Sequence, residues 1–199
     1  MKENENSHLM DKVVEALRKA AVEMEEFQVK AALGKAEARD KYEETKKKFN
    51  RFVHESKSKV KSGKEKIDDL HTKLDELRVQ LALGKAETLE VFRAQKKNLL
   101  SLLHQIEVKI KTNEKLRRSY AILLIEIEMF KVQLEILDEK FDEGKVEAKA
   151  SFEKGKKEFE KFIDELKSRY EKKDNKRWDH FQGEISEAFS HLKKAFKES

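Results

Sequence analysis

One short segment is written three times along this chain: Gln28-Val-Lys-Ala-Ala-Leu-Gly34-Lys-Ala-Glu, Arg78-Val-Gln-Leu-Ala-Leu-Gly84-Lys-Ala-Glu, and Asp142-Glu-Gly144-Lys-Val-Glu-Ala-Lys-Ala. Self-similarity at long intervals is the mark of copies of one structural unit packed on each other. Each copy lies in a pattern with apolar residues three and four apart, and none of the 199 residues is proline, so the copies predict helices running side by side.

Composition agrees. With 43% charged and 38% apolar residues, wide solvated faces must flank a narrower apolar seam, as in long-helix proteins. The apolar residues are too many and too regularly spaced for a disordered polyelectrolyte. Val13, Ala16, Ala20, Met24, Phe27, Ala31, Ala38, Tyr42, Thr45, Phe49 and Val53 form one stripe, part of which recurs at eleven residues (Ala16, Phe27, Ala38, Phe49, Val60). A second segment starts in heptads, with Ile67, Leu74 and Leu81 alternating with Leu70 and Leu77. Past Gly84 the register jumps by four, to Phe92, Leu99 and Ile106, which reads as a stutter within one helix.

Turn signals are few. Ser56-Lys-Ser-Lys-Val-Lys-Ser62-Gly63 gathers poor helix formers and like charges, Lys111-Thr-Asn-Glu114 offers an N-cap at Thr112 or Asn113, and Asp174-Asn175 supplies a third break. Helices are therefore predicted over 8–58, 64–111, 114–172 and 176–197. The fold expected is all-α: an elongated antiparallel bundle or coiled coil of three long helices (1–172) with a short C-terminal amphipathic helix (176–199). Folding at those turns brings Gly34, Gly84 and Gly144 to roughly one level, either for close backbone approach or as a residue of duplication.

The apolar maximum, Tyr120 to Leu137, carries two stripes. One runs through Tyr120, Leu124, Ile127, Leu134 and Leu137; the other runs through Ile122, Ile125, Met129, Val132 and Ile136. Two stripes need two covers. The preceding helix, through Leu99, Leu102, Leu103 and Ile106, supplies one. The second stripe is either covered by the N-terminal helix or left as an interaction face, with a homodimer as the partner expected. The tail adds Trp178, Phe181, Ile185, Phe189, Leu192 and Phe196 on one face, a set that can dock on Phe152, Phe159 and Ile163, grip another protein or lie on a membrane surface.

The pattern Trp178-x-x-Phe-x-x-x-Ile-x-x-Ala-Phe189-x-x-Leu-x-x-Ala-Phe196, following a charged coil, resembles a family of small bacterial coiled-coil stress-response proteins. The resemblance covers the tail, and the rest of the chain in style. It implies a non-enzymatic, cytoplasmic, stress-associated role and carries over no catalytic residue.

The residues offer no catalytic constellation. There is no cysteine, so thiolate metal sites and cysteine nucleophiles are excluded. Five glycines precede lysine, but none lies in a GxxxxGK[ST] phosphate loop. Only Glu5-x-x-His8 has the helix-borne di-iron spacing, and His54, His71 and Asp68 group near the first turn as solvated residues, so no metal or cofactor is assigned. Residues 27–66 hold 13 Lys/Arg against 6 Asp/Glu, a surplus of +7 that includes Lys46, Lys47, Lys48 and Arg51. Nonspecific nucleic-acid binding there is the weaker reading, since the lysines suit a solvated face and Phe49 and Phe52 suit the seam. The N-terminus lacks a secretory pattern, and cytoplasmic location is expected. A structural or protein-interaction role is the function read, with an amphipathic membrane-surface or lipid binder as the alternative.

Overall fold

The computed structural model of the chain describes residues 2–31, 35–60 and 65–142, and beyond these 154, 157–162, 164–166 and 168. Among the described residues every regular element is a helix: α1 (Lys2–Ala31), α2 (Lys35–Ser58), α3 (Glu65–Leu81), α4 (Leu89–Lys111), α5 (Glu114–Ser119) and α6 (Ala121–Phe141). Residues 157–162 and 164–166 are helical as well.

Side-chain pairs fix the directions. Lys41 lies over the Phe27 ring and Lys48 pairs with Glu23, so α1 and α2 are antiparallel. Lys57 with Asp75 and Arg78 with Asn50 make α2 and α3 antiparallel, and Lys109 reaches Asp69 across the α3–α4 pair. Lys96 with Glu135 and Lys131 with Glu107 do the same for α4 and α6. The bundle thus alternates direction at every step between long helices.

Two of the expected turns are present and the long helices are not. α2 ends at Ser58 and α3 begins at Glu65, where the like-charged serine-lysine run lies. Asn113 caps α5, its side-chain oxygen accepting from the backbone N–H groups of Lys115 and Leu116. The helix predicted over 8–58, however, is two antiparallel helices, and the one predicted over 64–111 is divided by a non-helical segment at 82–88. The four-residue register jump past Gly84 is therefore a chain reversal, not a stutter.

The reversal is held by groups distant in sequence. Lys46 Nζ donates to the carbonyl of Leu83 at 3.0 Å, and Gln95 Nε2 donates to the carbonyl of Gly84 at 2.9 Å. These carbonyls lie just past the end of α3, where a helix leaves acceptors unpaired and favours a cation. Thr88 then caps α4, accepting from the N–H of Val91. A Cβ built on Gly84 meets nothing within 4 Å, so the close backbone approach considered for this glycine is not its role. Gly34 and Gly144 lie outside the described residues.

The written repeat is a structural one in its first two copies. Tyr42 and Phe92, Lys46 and Lys96, Phe49 and Leu99, and Val53 and Leu103 stand at the same distances after Gly34 and Gly84, and all eight are buried. Each copy begins a helix that follows a reversal of direction. Of the third copy, Phe159 falls among the described residues and is buried too.

α6 is the centre. It packs on α1, α2 and α4, and both of its stripes are covered: Leu124, Ile127, Leu134 and Leu137, and equally Ile125, Met129, Val132 and Ile136, are buried, with Ile122 half-buried against the same core. Phe130 stacks on Phe49 of α2 with ring centroids 4.2 Å apart, and Phe92 of α4 stacks on Phe141 at 4.5 Å. A helix that is apolar nearly all round can only be a core helix.

Candidate functional site

Because α6 is surrounded, the acidic residues that interrupt its apolar run go inside with it. Glu126, Glu128 and Asp138 are all buried, beside the neutral Gln133. Burying a charge without a partner is costly, so the question at each is what answers it.

Toward α4 the answer is a set of ion pairs. Lys96, 7% exposed, places Nζ 2.6 Å from Asp138 and 2.7 Å from Glu135. Arg93 reaches Asp138 at 3.2 Å and Asp142 at 2.6 Å. One turn layer away Lys131 lies 2.7 Å from Glu107 and 3.3 Å from Glu128. Burial pushes the Glu128 carboxyl up, and the hydrogen bond and negative charge of Glu107 add to it. Burial alone would raise Glu107 as well, but the hydrogen bond from Glu128 and the Lys131 charge hold it below the usual range. The two carboxyls therefore share one proton, with Glu128 as the donor.

Lys46 provides the corresponding contact on α2. At 1% exposed it also lies 2.9 Å from Glu43 and over the Tyr42 ring, 4.6 Å from its centroid. It is therefore removed from the basic surface in which the sequence placed it. Lys47, Lys48 and Arg51 remain exposed, Lys48 being paired with Glu23, while Phe49 is core and Phe52 half-buried.

Between α1, α2 and α6 the packing leaves a groove of about 200 Å³. Its lining is mixed: Glu126, Met129 and Phe130 from α6, Phe49 and Phe52 from α2, and Lys19 and Glu23 from α1. The Glu126 carboxyl is pushed up to about 7, chiefly by burial and next by Glu23, against the opposing pull of Lys19 and Lys48. A smaller hollow of about 80 Å³ adjoins it, sharing Glu23, Thr45, Lys48 and Gln133.

Among the described residues the histidines do not converge. His71 is buried and its Nε2 lies 2.9 Å from the Tyr120 hydroxyl, while His54, His8 and His104 are exposed. Burial, then the nearby Lys57 charge, lowers the His71 pKa. Among the described residues no group of three His, Cys, Asp or Glu side chains could hold a metal ion, and no described helix is long and apolar enough to cross a membrane.

Of the interaction residues read from the sequence, Ile125, Met129, Val132 and Ile136 are in the core, with Ile122 packed half-buried against it. Ile125, Met129, Val132 and Ile136 are thus closed off by the chain's own helices. Trp178, Phe181, Ile185, Phe189, Leu192 and Phe196 lie outside the described residues. The buried carboxylates and lysines are what the sequence reading missed; the signal was Ile125-Glu-Ile-Glu-Met129, where acids sit between residues that must all be covered. Comparison with known proteins finds no matching family, no matching curated protein and no matching solved structure.

Proposed function

We propose that the chain is a non-enzymatic, cytoplasmic, stress-associated protein that acts by protein interaction, with its C-terminal segment as the gripping element. The observation that supports this is where the apolar surface goes. Both stripes of α6 are consumed in the core, and the large apolar side chains that the described residues leave exposed are Val22, Val79, Leu83, Val91 and Val108, too dispersed along the sequence to form one long helical stripe. The sequence carries a further amphipathic pattern in 176–199, outside the described residues, through Trp178, Phe181, Ile185, Phe189, Leu192 and Phe196. Aromatic weight on a short helix suits a protein groove. The residues with eleven-residue spacing that would suit a lipid surface, Ala16, Phe27, Ala38 and Phe49, are buried between helices, so a lipid binder of that kind would first have to open the bundle.

The test compares the full chain with one ending at residue 175. Sedimentation velocity is expected to show tail-dependent association, with itself or with an added partner, and liposome flotation is expected to be the same for both. Flotation that requires the tail would replace this reading with the lipid one. Identical sedimentation of both chains, alone and with partner, would remove the tail from the account.

A further inference from the structure

Among the described residues the buried charges are answered, with one exception. Lys46 has carbonyls and Glu43, Lys96 has Glu135 and Asp138, and Glu107 and Glu128 have each other and Lys131. Glu126, 8% exposed, makes no hydrogen bond and no ion pair among the described residues. Cations are close, but they are engaged elsewhere: Lys48 lies 2.6 Å from Glu23 and Lys19 lies 3.8 Å from it. The carboxyl instead lines the 200 Å³ groove between α1, α2 and α6, whose apolar part is formed by Phe49, Phe52, Met129 and Phe130.

An occupant suited to this groove must bring a positive charge to Glu126 and an apolar body to the rings. The space accommodates roughly six or seven water-sized groups at about 30 Å³ each, which matches an ammonium head with a short alkyl chain. We propose that the groove binds a primary aliphatic amine, its ammonium group against the Glu126 carboxylate and its methylene chain along Phe49, Phe52 and Met129. The ion pair is charge-assisted, and the rings cover the alkyl chain. A neutral alcohol fills the same space without offsetting the charge, and an anion set against Glu126 meets that carboxylate and Glu23, with Lys19 and Lys48 of the lining already turned to Glu23. The same chemistry is carried by a free diamine and by a lysine side chain of another protein. This site does not involve the tail, so it stands or falls separately from the interaction role proposed above.

The groups facing Glu126 are Lys19 and Glu23 from α1 and Lys48, Arg51 and Glu55 from α2. Protonation of Glu126 competes with the amine. With its carboxyl titrating near 7, apparent affinity is expected to fall about thirtyfold between about pH 8 and about pH 5.5. The experiment follows the Met129 methyl resonance of the full chain during titration with n-butylamine at about pH 8. A saturable shift is expected that weakens at the lower pH, is lost in Glu126→Gln, and is not given by n-butanol. Equal binding by Glu126→Gln, equal binding of butanol, or no saturable shift overturns the proposal. Glu126→Gln removes only a buried charge and keeps its shape, so it tests binding in a folded protein. Tighter binding of 1,5-diaminopentane than of Nα-acetyl-lysine amide identifies the source as a free amine, and the reverse order a protein side chain; both orders support an amine site.

Discussion

Replacing Glu126 by glutamine should stabilise this protein, by an amount that depends on pH in a calculable way. The carboxyl titrates near 7 when folded against an ordinary 4.5. Below about pH 4.5 it carries a proton in both folded and unfolded chains and contributes no difference. As pH rises from there to about 7, the unfolded chain releases the proton and the folded one keeps it, so stability falls; above that the loss is constant. Its full size is about 3 kcal/mol, or about 2 kcal/mol once water reaching the carboxyl through the groove is allowed for. Glutamine has the shape of the protonated acid and no charge to lose. Urea unfolding followed by circular dichroism should therefore show nearly equal midpoints for the two proteins at about pH 4. At about pH 8 the variant's midpoint should lie about 1 M higher, taking a slope of about 2 kcal/mol per molar urea. Glu128 and His71 also titrate abnormally, but they are present in both proteins and cancel in the difference. A midpoint difference that is the same at both pH values, or a wild-type chain more stable than the variant at pH 8, would refute the burial of this charge.

Lys96→Met should cost about 3 kcal/mol in the same urea assay, because Glu135 loses its 2.7 Å cation and Asp138 keeps only Arg93. Gly84→Ala should leave the thermal midpoint unchanged or raise stability by about 0.5 kcal/mol, since its Cβ enters open space and alanine has less freedom to lose on folding; a clear loss would mean the loop needs glycine's conformations. Asn113→Ala should cost about 1 kcal/mol by thermal unfolding, with the two backbone N–H groups it caps left to water.

What the sequence made legible was the apolar pattern. Val13 through Val53, Leu70 through Leu81 and Phe92 through Ile106 were assigned to seams by spacing alone, and the described members of those seams are buried or half-buried. Asn113 was legible for the same local reason, since a capping side chain acts on N–H groups two and three residues away. The reversal at 82–88 was not, although its letters were on view. Leu-Ala-Leu-Gly-Lys-Ala-Glu contains six good helix formers and one glycine, and a single glycine costs a helix only about 1 kcal/mol. Local propensity therefore favours continuing. What decides against it is Lys46, 37 residues before Leu83, giving its ammonium to the carbonyl the broken helix exposes.

That dependence on distant partners also explains why the interior charges were assigned to the surface. Lys46 stands beside Lys47 and Lys48, and nothing in a run of three lysines says which one points inward. The repeat does: Lys46 and Lys96 stand twelve residues after Gly34 and Gly84, and each reaches the C-terminal end of a neighbouring helix, Lys46 at the carbonyls after α3 and Lys96 at Glu135 and Asp138 near the end of α6. A solvated lysine has no reason to recur at a fixed distance from a turn, whereas a lysine that fastens one hairpin to the next must. Glu126 has no such counterpart, for the cations nearest it, Lys19 of α1 and Lys48 of α2, are drawn to Glu23. The same alternation of acid and aliphatic residues that makes α6 the central helix thus leaves one carboxyl without a hydrogen-bond or ion-pair partner among the described residues, and places it where the packing of three helices leaves a groove.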